Sequence, residues 1–462
     1  MPNPTGGSGV KHLLRRASWS LVDQGLSAAS NLLLSIIVAR QLDAGGFGAF
    51  AIAFLTFGLV IAVARATIGQ PLQISYSGAP MDQWREATRS ALAAAVVLGT
   101  VVGASLVVIG LLLGGGTGQA LVAVGVCMPG LVAQDICRMA FFSSGQAKQA
   151  ALNDALWTAL EFAALAAMIA LGVREVGPFI LAWGGSATVA AVVGCLVLGL
   201  APRFRGCLRW LFAQRSLTGY LLAENILGEG VAQVAILFVG VAGSPADVGS
   251  LRAGQVLLGP LNVLVTAIAV FGIPEIARRG DMPLRQRQRF CWALSGAVTV
   301  VSIGYACVVL LLPDALGRQL FGDTWDGAQT VLLAMCALYL AGAIGLGPGV
   351  TLFGMGRARA SFGLNLVKAP LLLLTLSLGI WQAGAVGAAW ALALTETLML
   401  PLLIITAVRA MRSAPSAVSG GDNPLTGLVG TPVTESVSVS ATLLEEDRTD
   451  EGTHPEPRAG GE

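Results

Sequence analysis

Charge is scarce in this sequence. Asp, Glu, Lys and Arg make up 12% of its 462 residues, about half the share of an ordinary soluble domain, too little to cover a water-facing surface. Lysine is nearly missing, with three residues against 25 arginines. The only histidines, His12 and His454, lie in the terminal segments; this excludes an imidazole base or His-ligated metal within the apolar body. There is no Gly-rich phosphate loop ending in Lys-Ser or Lys-Thr, and no carboxylate accompanies a nucleophile in a catalytic pattern. Neither an enzyme, a cofactor nor a metal site is therefore expected. Seven cysteines (127, 137, 195, 207, 291, 307 and 336) fall in apolar runs or on the expected cytoplasmic side, so no disulfide is expected either.

What fills the chain is apolar: 55% hydrophobic residues and 59 glycines. The apolar residues gather into runs of about twenty, the length a helix needs to cross a bilayer, and glycines allow close helix–helix approach in lipid. The runs predict an all-α integral membrane protein of about twelve transmembrane helices, at 17–38, 48–70, 91–113, 119–142, 149–172, 177–200, 219–242, 249–274, 290–313, 328–349, 358–381 and 385–408. Helix 1 carries Asp23, Gln24 and Asn31, which the core of a signal peptide would avoid, and is expected to be retained.

The charges that exist alternate between loops. Outside the apolar runs, one set of loops carries nearly all the basic residues, from Lys11 to Arg412, while the other holds only Arg40, Arg174 and Arg318. The positive-inside rule then places both termini in the cytoplasm. The implied organisation is an N-terminal segment 1–16, an N-lobe 17–201 of helices 1–6, and a basic connector 202–218. A C-lobe 219–412 of helices 7–12 and an acidic tail 413–462 follow. The connector holds Trp210 and Phe212 and reads as an interfacial amphipathic segment. The tail, rich in Ser, Thr, Gly, Pro and acids, lacks the apolar content to order itself. The longest external loop, Pro313–Gly327, is too short for a folded domain.

The two lobes look like copies. Asp23 and Phe47-Gly48 are matched by Glu224 and Val248-Gly249, each displaced by 201 positions. GQAKQAALND from Gly145 is matched by GRARASFGLN from Gly356, displaced by 211, and the extra length fits the longer loop Pro313–Gly327. Six helices per copy give parallel repeats related by an axis along the membrane normal.

Several segments resemble bacterial polysaccharide flippases of the Wzx type. LVDQGLSAASNLLLSIIVARQLDAGGFGAFAIAF resembles their opening helix pair, and QDICRMAFFSSGQAKQAALNDALW is similar to their fourth and fifth helices. SLRAGQVLLGPLNVL looks like their eighth helix and LFGDTWDGAQTVLLAMCAL like the entry to the tenth. The likeness spans about residues 11–410. It implies membership of the multidrug/oligosaccharidyl-lipid/polysaccharide exporter superfamily, with two six-helix lobes in a V around a central cavity. It also implies transport of an undecaprenyl-diphosphate-linked oligosaccharide between leaflets by alternating access, beside glycosyltransferases or a polymerase of the same pathway.

Ionisable residues inside the helices mark candidate sites, since each costs roughly 2.5–3.5 kcal/mol at a helix centre unless it faces a cavity or a partner. Arg65, Arg138, Arg252 and Lys368 are the candidate substrate-binding cations. Asp23, Asp154, Glu161, Glu224, Glu229 and Glu396 are the candidate coupling or gating groups. Lys368 and Glu396 each lie ~16 Å along their helices, one from each side, and so at one level; Pro370 is expected to open the helix beside Lys368. They read as a structural or gating pair or as a substrate contact. Asp154, Trp157 and Glu161 share one helix face. Asp135 and Arg138 neutralise one another at i, i+3 or serve the substrate. Arg252 reads as a snorkelling anchor near an external end or as a substrate contact. Arg65, followed by Gly69 and Pro71, reads as a diphosphate contact near the cytoplasmic entrance or as the partner of Asp23. Three rival functions stay open: an ion-coupled drug or toxin extruder of the same superfamily, a membrane polymerase or ligase, and a scaffold for glycosyltransferases.

Overall fold

Beginning from the chain's local signals, the helices start where capping chemistry allows. In the computed structural model, which describes residues 27–413 apart from 28, 78 and 279–282, Asp43 precedes α2 (Ala44–Tyr76) and accepts from the Gly46 N–H at 2.7 Å. Ser244 precedes α8, two bent parts at Pro245–Leu257 and Gly259–Arg278. There a reciprocal Ser244–Asp247 capping box and a proline in the first turn fix the start. The two caps are 201 positions apart, the displacement read from the sequence. Upstream of α2, residues 29–41 form α1. The N-terminal half continues through α3 (Met81–Leu113), α4 (Gly115–Ser143), α5 (Ala147–Ala170) and α6 (Val176–Leu198).

The connector folds into a short helix at Cys207–Ala213, with Leu208 and Phe212 exposed, as an amphipathic linker requires. Trp210 leans on Tyr76, with ring centroids 6.4 Å apart. The second half runs through α7 (215–242), α8, α9 (Leu284–Leu310) and α10 (Thr324–Gly354). It ends in a 56-residue helical stretch, Ala358–Ser413, broken at Ala383 and Gly384. We label its two parts α11 (358–382) and α12 (385–413). Among the described residues, eight helices are long and apolar enough to cross a bilayer, counting the broken stretch once, or nine with the bent α8. No strand occurs among the described residues.

Several helices outrun their apolar cores. α3 begins ten residues before its predicted start, because Arg85, Glu86 and Arg89 are good helix formers that hydropathy does not detect and Asp82 suits the first turn. α8 bends by 54° just before Pro260, whose ring disfavours helical geometry in the preceding residue and removes an N–H. The loop Pro313–Gly327 is not irregular: Asp314–Phe321 forms a helix that accounts for the extra length between the repeats. Pro370 does not open its helix; the backbone stays helical through it, and the break falls at Ala383–Gly384 instead.

The halves meet where α2 packs on α8. A Cβ on Gly48 would lie 1.7 Å from the Pro245 carbonyl oxygen, and one on Gly249 would lie 3.1 Å from the Gly48 nitrogen. These repeat-equivalent glycines bring two backbones into contact. Around this seam Phe47, Phe50, Phe179 and Trp183 are fully buried. The outward faces are apolar too: Leu112, Val241 and Trp381 are more than four-fifths exposed. Such side chains are stable there in lipid rather than in water, and the chain is a multi-pass membrane protein.

Candidate functional site

Helical spacing places the site. On α2, Phe54, Phe57, Gly58, Ile61, Ala62 and Arg65 recur every three or four residues and make one stripe. On α5, Asp154, Trp157, Thr158 and Glu161 do the same. These stripes line a cavity of about 280 Å³, together with Ser27 just before α1, Ser30 and Asn31 of α1, Gln134, Asp135 and Arg138 of α4, and Asn225 and Gln233 of α7. The interior of the N-terminal half thus forms most of the wall, and α7 of the other half completes it.

Two ion pairs organise the charge. Arg65 holds Asp135 through both ends of its guanidinium, Nε to Oδ2 at 2.9 Å and Nη2 to Oδ1 at 2.6 Å, a bidentate geometry that fixes the plane of both groups. Arg138 Nε lies 3.2 Å from Asp154 Oδ2, and its guanidinium stands over the Phe142 ring at 5.6 Å. Asp154 also accepts from Gln134 Nε2 at 2.8 Å and from Ser27 Oγ at 3.3 Å, so one carboxylate ties three segments together. Asp135 therefore does not pair with Arg138 one turn along its own helix. The bidentate partner on α2 wins, because a helical i, i+3 pair is worth only a few tenths of a kcal/mol.

The pairs are asymmetric in exposure. Arg65 keeps 42% of its side chain accessible while Asp135 keeps 7%; for Arg138 and Asp154 the values are 13% and 5%. Arg65 is thus the accessible member of its pair, whereas Arg138 and Asp154 are both largely buried. At the other end, Glu161 is buried, and its Oε1 has no hydrogen-bond partner among the described residues.

Arg65 owes its placement to an interruption of α2. Residues Arg65–Gly69 form a π-turn in which the Gln70 N–H reaches back to the Arg65 carbonyl. Pro71 follows; it cannot donate to Thr67, and its ring crowds that carbonyl, so the helix takes in one surplus residue. A second π-turn, Ile226–Gly230, interrupts α7. Asn225, at its edge, donates to Gln70 Oε1 at 3.4 Å.

The remaining candidates lie elsewhere. Arg252 is not a snorkelling anchor: its guanidinium stacks 4.2 Å above the Phe54 ring, where α8 crosses α2. Its Nε has no hydrogen-bond partner among the described residues. Lys368 pairs with Glu396 between α11 and α12, and neither lines the cavity. Asp23 lies outside the described residues. Glu224 and Glu229 fall on the helical backbone of α7, the latter in its π-turn, with side chains outside the described set. Sequence reasoning passed over Asp135 as the partner of Arg65, and over Gln134, Asn225 and Gln233. The i, i+3, i+4 recurrence of the α2 stripe, ending on a charge, was the available signal. Among the described residues no group of three or more His, Cys, Asp or Glu is placed to hold a metal ion.

No protein-family model and no curated protein matches the sequence. Solved structures do match in fold. An inward-facing multidrug resistance MATE family transporter of the MOP superfamily aligns over 83% of this chain and 94% of its own, at TM-score 0.62 and 12% identity. The lipid II flippase MurJ in an inward closed conformation aligns over 86% and 89%, at TM-score 0.66 and 10% identity. A MOP superfamily transporter from Pyrococcus furiosus, described as having a binding pocket of reversed polarity, aligns over 87% and 96%, at TM-score 0.55 and 12% identity. The two-lobe architecture expected from the repeats is the fold of these transporters.

Proposed function

We propose that this chain is a flippase for an undecaprenyl-diphosphate-linked oligosaccharide. It would work by alternating access in a bacterial cytoplasmic membrane, serving cell-surface or exopolysaccharide synthesis. In this reading the chain crosses twelve times, as lobes 17–201 and 219–412 joined by the connector 202–218, with both termini and the tail 413–462 in the cytoplasm. The observation that carries the proposal is Arg65, which buried Asp135 holds in plane and which keeps 42% of its side chain accessible at the cavity wall. A planar guanidinium fixed there is the geometry that grips a diphosphate. Arg65 and Arg138 are the binding residues, with Asp135 and Asp154 as their positioning residues. Lys368 with Glu396 forms a structural or gating pair between α11 and α12, and Arg252 on Phe54 a contact between the halves. Glycosyltransferases or a polymerase of the same pathway are the corresponding partners.

One observation favours a second reading. The cavity lining holds three carboxylates, Asp135, Asp154 and Glu161, against two guanidiniums, and an ion-coupled extruder of amphipathic cations would use that excess.

Transport by reconstituted protein separates the two. Arg65→Ala at matched abundance should lose most flipping of a fluorescent undecaprenyl-diphosphate glycan, and Arg65→Lys should not restore it, since an ammonium lacks the planar fork. Near-normal transport by Arg65→Ala would remove the assignment. Topology has its own check. An impermeant thiol reagent added outside should label a cysteine at Leu316 but not one at Arg209.

A further inference from the structure

Beyond the ion pairs, the cavity contains an aromatic wall that the diphosphate reading does not use. Trp183 is buried and makes edge contact with Phe57 at 4.9 Å and tilted contact with Phe54 at 5.4 Å. Trp157 lies 6.4 Å from it, and its indole N–H donates to the Trp183 carbonyl at 3.2 Å. The polar edge of Trp157 is thereby spent on the protein. Of the four rings, Phe54, Phe57 and Trp157 line the cavity, while Trp183 braces them from behind. Such a cluster is a rigid platform, not a loose apolar surface.

α5 orders the chemistry like a ruler. Asp154, which holds Arg138, stands at the level of the guanidiniums. Trp157 stands ~4.5 Å further along and Glu161 ~10.5 Å further, at 1.5 Å per residue. A ligand lying along this face meets cations, then an aromatic ring, then a buried carboxylate oxygen without a partner. Thr158 and Gln233 add neutral hydrogen-bonding groups to the lining.

We infer that the aromatic–carboxylate end of the cavity is a subsite for the first sugar ring attached to the diphosphate, with Trp157 stacking on the ring and Glu161 accepting from its hydroxyls. This rests on the flippase reading and deepens it. One pyranose face is a row of C–H groups that suits the negative face of an indole, and a carboxylate is an acceptor-only group for hydroxyl donors. The spacing of one helical turn between cations and platform matches a ring joined directly to a phosphate. A lipophilic cation would fit the aromatic–carboxylate end alone, but it would meet two guanidiniums one turn away; a glycosyl diphosphate satisfies both ends. The cavity, at about 280 Å³, is at the low end of ligand sites. It encloses the phosphate-proximal sugar and leaves the rest of the glycan outside, so specificity is exerted on that residue.

The experiment uses purified full-length protein in nanodiscs and two probes: a ten-carbon prenyl diphosphate, and the same compound carrying one N-acetylhexosamine. The wild type should bind the glycosylated probe about tenfold more tightly, the size of one good aromatic contact. In Trp157→Leu the ratio should fall to near one. Trp157→Phe keeps a ring and serves if the leucine variant does not fold, and should retain part of the ratio. Glu161→Gln should lower the ratio by about threefold, the loss expected when one hydrogen bond to the sugar hydroxyls is weakened. Arg65→Ala should weaken both probes. A wild-type ratio of one, with Arg65→Ala still weakening both probes, overturns the sugar subsite and leaves the flippase reading standing. Failure of either probe to bind, with tetraphenylphosphonium binding in a Glu161-dependent way, overturns both.

Discussion

The two halves share a frame but not an interior. Their matched caps at Asp43 and Ser244 and their glycines at Gly48 and Gly249 show one pattern used twice. Inside the N-terminal half, two ion pairs, Gln134, Ser27 and Glu161 converge on a cavity. In the C-terminal half Lys368 pairs with Glu396 away from that cavity, at side-chain exposures of 33% and 25%. The copies evidently diverged in what they hold, not in how they pack. On the proposed flippase reading one half grips and the other moves against it, and only the first must carry concentrated, positioned charge.

The contrast can be broken by measuring what each charge is worth. Asp154→Ala should have the largest effect. It removes a buried carboxylate that Arg138, Gln134 and Ser27 share, and breaking such a buried ionic network costs about 3–5 kcal/mol; thermal unfolding in detergent should show a large drop, with Asp154→Asn intermediate. A wild-type melting temperature for Asp154→Ala would mean the N-terminal network is not structural. Next comes Asp247→Ala. Asp247 completes the Ser244 cap and also accepts from the Ala385 N–H at 3.2 Å, fastening α8 to the break between α11 and α12. The loss should be about 1–2 kcal/mol, seen as lowered stability with the cavity pairs intact.

The Lys368–Glu396 pair should come third. Removing either partner should destabilise more than removing both, with a coupling of about 1 kcal/mol, because partial exposure screens the pair. Additive losses would show that the pair contributes no specific coupling. The smallest effect belongs to Arg318→Ala. Its contact with Asp326 at 2.9 Å joins two side chains more than three-fifths exposed, and no change in melting should be resolved.

Much of this was legible beforehand. Apolar runs located the helices because the backbone must satisfy itself within lipid, and the repeat displacement survives in the caps. The face carrying Asp154, Trp157 and Glu161 was also readable, since helical periodicity fixes it. Partner choice was not. Asp135 had a legal partner three residues away and took another seventy residues away, a decision made by packing of α2 on α4. Arg252 looked peripheral by its distance from a helix end. The close approach of α8 to α2 through Gly48, which put it on Phe54, is a tertiary fact. Residues 249–274 read as one unbroken helix, although Pro260 was the available signal for its bend; the continuity through Pro370 shows that the same residue type does not always break a helix.

The π-turn in α2 has a consequence for how this chain can change over time. A π-turn takes in one residue more than an α-helix of the same span, so the flanking parts of α2 keep their phase while the residues of the turn itself point where a regular α-helix would not put them. Deleting one residue from Arg65–Gly69 lets the backbone close into uninterrupted α-helix, yet redirects the side chains of the turn, Arg65 among them. Such a deletion should be mild for folding and severe for the cavity, whereas one in an exposed loop tip spares both. Length variation among true relatives should therefore be absent from this turn and common at the loops, a pattern that identifies the orientation of Arg65, rather than the helix itself, as the property under selection.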